Sequence, residues 1–258
     1  ITGSNGKTTV KTLLAGILSR HAPTHFSSGS FNNEIGLPLT VLSVPPDTRF
    51  VVLEMGAGKP GDIAYLAQIA KPRIGLVNNI APAHLERMGS IERIAQTKGA
   101  LYSALPADGV AVINADDVFA GCFSELAQGR RVLRFGLDAP ADVSARFDAS
   151  SNPGAFTLVS PAGEIEVSLA LGGRHNTMNA LAAASLALAR STVERWEGLR
   201  RKDLVSQQEL DERRSASAQA QANVAAADAN VQRLRQTEGF KRVVAPFGGV
   251  ITRRNVEV

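Results

Sequence analysis

Along the first 190 residues, short apolar runs alternate with longer stretches in which apolar residues recur at helical spacing. Phe50-Val51-Val52-Leu53, Ile74-Gly75-Leu76-Val77, Val110-Ala111-Val112-Ile113 and Val132-Leu133-Arg134-Phe135 are β-rich runs. Continuous runs of this length suit strands of a parallel sheet covered on both faces. Between them the pattern predicts helices over residues 8–20, 62–70 and 90–105. The second lies between Pro60-Gly61 and Pro72, a start and a stop signal. The third opens on Ser90 as N-cap, with Arg93 where a full capping box has Glu. Strand and helix in alternation give an α/β fold: an open, mostly parallel sheet of the P-loop type, flanked by helices. Two β-like runs around Pro161-Ala162-Gly163 predict a small β-hairpin over residues 155–171. Residues 175–190 read as an Ala/Leu-rich helix.

After about residue 190 the texture changes. Residues 193–235 are rich in Ala, Gln, Arg and Glu. Leu210, Ser217, Val224 and Val231 stand at seven-residue spacing, and Ala220, Ala227 and Leu234 form a second such series. This is a heptad seam of small residues, suited to a closely packed helical hairpin. Residues 240–251 then read as strand, turn and strand, so a long α-helix and a short β segment follow the α/β part. The chain divides on this evidence into residues 1–190 and 191–258.

Composition adds bounds. The chain has 258 residues and is 44% hydrophobic, enough to bury a core. No apolar run is long enough to span a bilayer. Ile1-Thr2-Gly3-Ser4-Asn5 forms no signal peptide and includes no starting Met, so the chain is expected to be a fragment or a processed product. Cys122 is the single cysteine, which excludes an internal disulfide framework or a Cys-based metal cluster and fits a reducing compartment. The net charge is +4. From Ser191 onward there are 12 Lys+Arg against 9 Asp+Glu. Interspersed signs of this kind indicate a solvated helix face, not a nucleic-acid surface.

The strongest chemical signal is Thr2-Gly3-Ser4-Asn5-Gly6-Lys7-Thr8-Thr9. Glycines let backbone N–H groups approach phosphate oxygens, and the following helix aims its N-terminus at the same anion. Lys7 would balance phosphate charge, and the Thr8 hydroxyl would sit on Mg²⁺. The generic P-loop requires Gly six residues before the Lys, where this chain has Ile1. Glu54 ends the first β run, at the carboxyl end where open α/β sheets bind ligands, and a carboxylate there could hold Mg²⁺. Asn78-Asn79 ends the next run, with His84 shortly after, and Asn114-Ala115-Asp116-Asp117 ends another. Each has a plainer reading: His84 as a hydrogen-bonded loop residue, Lys98 as a solvated helix lysine, the Asn/Asp clusters as helix caps.

Together these segments resemble a known family. ITGSNGKTTVKTLLAGIL, SFNNEIGLPLTVL, VLEMGAGKPGDI, NNIAPAHLERMGSIERIAQTKG, AVINADD and GRHNTMNALAAASLAL occur in the order and spacing of the central ATP-binding domain of the Mur ligases. Within that group the resemblance is to members that add D-Ala-D-Ala to UDP-N-acetylmuramoyl-tripeptide, and the shorter glycine loop is the family's own. The resemblance implies ATP and Mg²⁺ as cofactors, the muramoyl peptide and D-Ala-D-Ala as substrates, and a cytoplasmic location. It implies that Gly3, Ser4, Asn5, Gly6, Lys7, Thr8 and Thr9 hold the ATP phosphates, with Asn176 and Asn179 near the adenine nucleotide. Glu54 and His84 match magnesium ligands. Lys98 matches a lysine carried as a carbamate, which could ligate a second Mg²⁺. Lys7, His84 and Lys98 would then serve catalysis, and Asn32 and Asn33 the muramoyl-peptide substrate. The implied reaction is amide ligation through an acyl phosphate. A folylpolyglutamate-synthetase-like ligase or another Mur ligase is the nearest alternative.

The chain also departs from that pattern. The family's first and last domains are not in it, nor most of the strand that feeds the phosphate loop, and Ala100 stands where members often have Glu. Residues 191–258 are instead similar to periplasmic adaptor (membrane-fusion) subunits of efflux pumps, covering the returning helix and the second lipoyl-like half. The expectation is a chimera joined near residues 190–193, inactive alone, with a tail that self-associates through its unpaired helix. A non-enzymatic adaptor fragment is the competing function.

Overall fold

The order of elements follows the predicted alternation. The computed structural model describes residues 1–200 except Ser28, Ser30, His84, residues 148–153 and Leu171, with side chains as far as Glu194. Helix α1 (Lys7–Ser19) is followed by β1 (Thr24–Phe26), α2 (Gly36–Leu42), β2 (Phe50–Val52), α3 (Asp62–Ala70) and β3 (Ile74–Val77). Next come α4 (Leu85–Met88), α5 (Ile91–Ser103), β4 (Val110–Asn114), α6 (Ala120–Leu126) and β5 (Arg131–Phe135). Strands β6 (Ser144–Arg146), β7 (Ala155–Ser160) and β8 (Gly163–Ser168) precede the long helix α7 (Arg174–Arg200).

Two parallel sheets, β1-β2 and β3-β4-β5, are joined by the first two residues. Ile1 N donates to Leu53 O at 2.9 Å, and Met55 N donates to Ile1 O at 2.8 Å. On the other side Thr2 N donates to Leu76 O and Asn78 N to Thr2 O, at 2.8 and 2.9 Å. Residues 1–2 thus occupy the slot between β2 and β3, where the strand feeding the glycine loop belongs. The spatial order is β1, β2, residues 1–2, β3, β4, β5. The chain reverses its direction of growth at that slot, and open α/β sheets bind ligands beyond the carboxyl ends of strands at such a point.

Period-two alternation sorts the side chains onto two faces. On β4, Val110 and Val112 point into a core shared with Val10 and Leu14 of α1, Leu181 and Leu186 of α7, and Phe156 of β7. Ala111 and Ile113 point the other way, against Tyr102 of α5 and Phe123 of α6. A third cluster packs Leu37, Ile63, Leu66, Met88 and Ile94 together. Residues 1–198 form one compact unit around these cores.

Helix α3 has the predicted bounds. Gly61 before it and Lys71 after it both have left-handed backbone, φ 91° and 45°. Ser90 caps α5, its hydroxyl accepting from Arg93 N at 3.3 Å. The predicted hairpin is β7-β8, and β6 adds a third antiparallel strand. Helix α7 continues to Arg200, unbroken through the junction expected at residues 190–193. The heptad hairpin, the β segment at 240–251 and the self-association proposed for the tail lie outside the described residues. Among the described residues no helix is long and apolar enough to cross a membrane.

Candidate active site

The glycine loop leaves the carboxyl end of the residue 1–2 strand. Gly3 and Gly6 have φ of 143° and 76°, values that L side chains rarely adopt. A Cβ on Gly6 would lie 2.3 Å from Asn179 Oδ1 and 2.6 Å from Asn78 Nδ2. The loop therefore lies flat on the end of β3 and the start of α7. Residues 78–81 hold its other side. Ser4 N donates to Asn79 O at 2.8 Å. The Ser4 hydroxyl donates to Ala81 O and accepts from Ala81 N, both at 2.9 Å. Asn5 N donates to Asn79 Oδ1, and Asn5 O accepts from the amides of Asn78 and Asn79.

Two ammonium groups meet at this loop. Lys7 Nζ donates to Gly3 O at 3.0 Å and Ser4 O at 3.2 Å. Lys98 Nζ, from α5, donates to the same Gly3 O at 3.1 Å. Lys98 is only 3% exposed. Burial, and then the charge of Lys7, bring its pKa down to about 8. Burial also lowers the pKa of Lys7, against the pull of Glu54. Beside them, Thr8 Oγ1 donates to Glu54 Oε2 at 2.9 Å. A cleft of about 670 Å³ opens in front, lined by Ser4, Lys7, Asn32, Lys59, Arg87 and Lys98 among others.

The structure brings together Gly3 to Thr8, Glu54, Lys98 and Asn179. Thr9 is exposed on the first turn of α1. Asn179 accepts from Asn78 Nδ2 at 2.9 Å, whereas Asn176 turns its amide to Gly172 O at 3.0 Å. Asn33 caps α2, its Oδ1 accepting from Ile35 N and Gly36 N, and it also lines the cleft. Asn32 donates to Glu54 Oε1 at 2.7 Å. His84 lies outside the described residues.

Lys11 was not singled out by sequence, and Asp116 and Asp117 were noted there only as part of a strand-ending cluster with helix capping as its plainer reading. Lys11 is 2% exposed, and its Nζ stands 3.6 Å from Glu54 Oε2. It lies at i+3 from Thr8, a spacing that shares one helix face, and this was the available signal. Asp116 accepts from the backbone N–H groups of Leu137, Asp138 and Ala139, and Arg174 lies 3.7 Å from it. Burial pushes the Asp116 carboxyl up, but those three donors and Arg174 together hold its pKa below the usual value. Asp117 accepts from Ile80 N and Phe119 N. The two aspartates after β4 thus each fasten a different loop of the site.

Known proteins share this arrangement. Residues 1–187 match the family model described as Mur ligase middle domain. Residues 175–235 match a second model, RND MFP, alpha-helical hairpin domain, so the two overlap along α7. The chain is 41% identical over 191 residues to the UDP-N-acetylmuramoyl-tripeptide–D-alanyl-D-alanine ligase of Escherichia coli K12, covering 73% of this chain and 42% of that protein. Among solved structures it is similar to MurF from Acinetobacter baumannii, with TM-score 0.69, 36% identity, and coverage of 74% of this chain and 42% of that one. It is also similar to MurF ligase from Thermotoga maritima in complex with ADP, with TM-score 0.62, 32% identity, and coverage of 74% and 44%. The chain thus spans less than half the length of these relatives. With its glycine loop, sheet and cleft all within the matched residues 1–187, the chain belongs to the Mur ligase family, through its middle domain.

Proposed function

We propose that this chain carries the ATP-binding and phosphoryl-transfer part of a ligase that joins D-Ala-D-Ala to UDP-N-acetylmuramoyl-tripeptide. The observation that carries the reading is the meeting of Lys7 and Lys98 on one carbonyl, Gly3 O, beside the Thr8–Glu54 pair. Two cations and an oxygen-donor pair at the mouth of a cleft suit a polyphosphate next to a carboxylate acceptor.

In the proposed reaction the γ-phosphoryl group of ATP passes to the terminal carboxylate of the muramoyl peptide, and ADP leaves. The amine of D-Ala-D-Ala then attacks the acyl carbon and loses a proton, and phosphate departs with the electron pair of the C–O bond. The loop N–H groups and Lys7 would orient the phosphates and offset their charge. The cleft residues Asn32 and Asn33 would face the peptide substrate, and Asn179 would bound the nucleotide from α7. Asn176, one turn earlier, belongs to the same proposed nucleotide side.

The residues fit Mg²⁺: the Thr8 hydroxyl and the Glu54 carboxylate are hard oxygen donors side by side. His84 would complete that set. Lys98 as an ammonium cannot ligate a cation, but its buried amine, with a pKa near 8, is a nucleophile for CO₂. The resulting carbamate would add an oxygen donor. Magnesium, when bound there, neutralises charge on the transferring group.

Calorimetry of Mg²⁺-ATP binding tests the reading. Binding by the full chain that Lys7→Ala abolishes supports it, and equal binding by both proteins rejects it. Ligation after supplying the family's first and last domains in trans would extend the reading from nucleotide binding to catalysis. A second reading rests on the hairpin-domain match at residues 175–235. In it the tail is the functional part of an adaptor, nucleotide binding is incidental, and the tail associates with copies of itself.

A further inference from the structure

We propose that Lys11 and Asn32 are positioning residues for Glu54, gripping its carboxylate from two sides so that one oxygen faces the Thr8 hydroxyl. The inference rests on the reading of Thr8 and Glu54 as a metal-binding pair. Glu54 is 2% exposed, so protein groups must take the place of water around its carboxylate. Three do. Asn32 Nδ2 donates to Oε1 at 2.7 Å. On Oε2, the Thr8 hydroxyl donates at 2.9 Å and the Lys11 ammonium stands at 3.6 Å. Each oxygen therefore has its own holder, and rotation of the carboxylate would break contacts at both ends.

Lys11 does more than supply a counter-charge. Its ammonium also donates to Ser27 O at 2.9 Å and to Gly29 O at 2.5 Å. Those carbonyls lie five and three residues before Asn32 in the chain. Asn32 is fastened in turn by its own backbone, Gly56 N donating to Asn32 O at 2.7 Å. Helix α1, Ser27, Gly29, Asn32 and Glu54 are tied together by these contacts, with Lys11 as their hub. Partners of this kind, which touch the ligand of a metal but not the metal, commonly set metal affinity. A buried ion pair with only a structural role would instead act on folding.

The test separates the two. A fluorescent N-methylanthraniloyl ADP is titrated into the full chain with and without Mg²⁺, for the parent and for Lys11→Met, Asn32→Ala and Glu54→Gln. We expect Lys11→Met and Asn32→Ala each to lose ~10-fold of the Mg²⁺-dependent gain in affinity, a loss several-fold larger than any change in Mg²⁺-free affinity. The double variant should lose less than the sum of the two, because both act through one carboxylate. If Lys11→Met does not fold, Asn32→Ala, which deletes no buried charge, carries the test. Parallel loss of Mg²⁺-free binding in both variants would overturn the proposal in favour of a structural role. An intact Mg²⁺ gain in both, with the gain abolished in Glu54→Gln, would overturn it while leaving the metal pair standing. An intact gain in Glu54→Gln would reject the metal pair itself.

Discussion

The backbone of Gly6 lies so close to the side chain of Asn179 that a Cβ at position 6 would meet Asn179 Oδ1 at 2.3 Å. This contact fixes the start of the last helix against the phosphate loop. Gly6 also has φ 76°, a left-handed conformation that costs an L residue about 1–2 kcal/mol. Gly6→Ala is therefore expected to abolish Mg²⁺-ATP binding in calorimetry, through both strain and collision. Asn179→Ala, which keeps the glycine, should weaken binding without abolishing it.

Lys98 is held in the fold at a cost. Its folded pKa of about 8 lies below the ordinary 10.5, so between those values the unfolded chain binds more protons than the folded one. Stability must then rise with pH across that window, and the full penalty applies below pH 8. Lys98→Met, of similar length and uncharged, should raise the melting temperature at pH 7, and its advantage over the parent should shrink from pH 8 to pH 10. The same substitution should remove the carbamate carbon signal expected in ¹³C NMR under labelled CO₂. Retention of that signal would place the carbamate elsewhere.

Asp116 gathers three backbone N–H groups of residues 137–139. Asp116→Ala takes the charged acceptor from these donors, two of them part-buried and one exposed, and should cost about 1–2 kcal/mol, since water can replace part of what is lost. Faster hydrogen exchange confined to residues 137–139 would identify the cause. Because its folded pKa is lowered, Asp116 contributes stability at and above the ordinary carboxylate value and loses it as pH falls through the folded one. The variant's melting temperature should therefore fall less than the parent's on acidification.

Tyr102 pins two strands from the helix side. Its hydroxyl accepts from Val77 N at 3.0 Å and donates to Val112 O at 2.7 Å, and burial raises its pKa. Tyr102→Phe should cost about 1–3 kcal/mol, since a buried N–H and a buried carbonyl both lose a partner. Urea unfolding should show a lower midpoint with an unchanged slope. An unchanged midpoint would mean that other groups take over both partners.

The alternation of apolar runs by itself determined the α/β class, the strands β2 to β5 and the helices α1, α3 and α5, because those signals are local: a period of two or 3.6 and a capping residue at each end. Strands β1 and β6 lack the four-residue apolar run that marks β2, and the seven-residue helices α2 and α6 carry too few periods to stand out. The phosphate loop was legible for the same local reason, since its glycines, lysine and threonines are consecutive. Only the tertiary structure decided what surrounds it. Residues 1–2 complete the sheet by hydrogen bonds to β2 and β3, segments about fifty to seventy-five residues away. Glu54 receives Thr8 and Lys11 from α1 and Asn32 from the segment before α2, stretches some twenty to fifty residues from it in sequence. Asn179 reaches the loop although Asn176, three residues earlier on the same helix, does not. Such partners are chosen by burial: a carboxylate or ammonium removed from water must find a counterpart wherever packing brings one, and packing is a property of the folded chain.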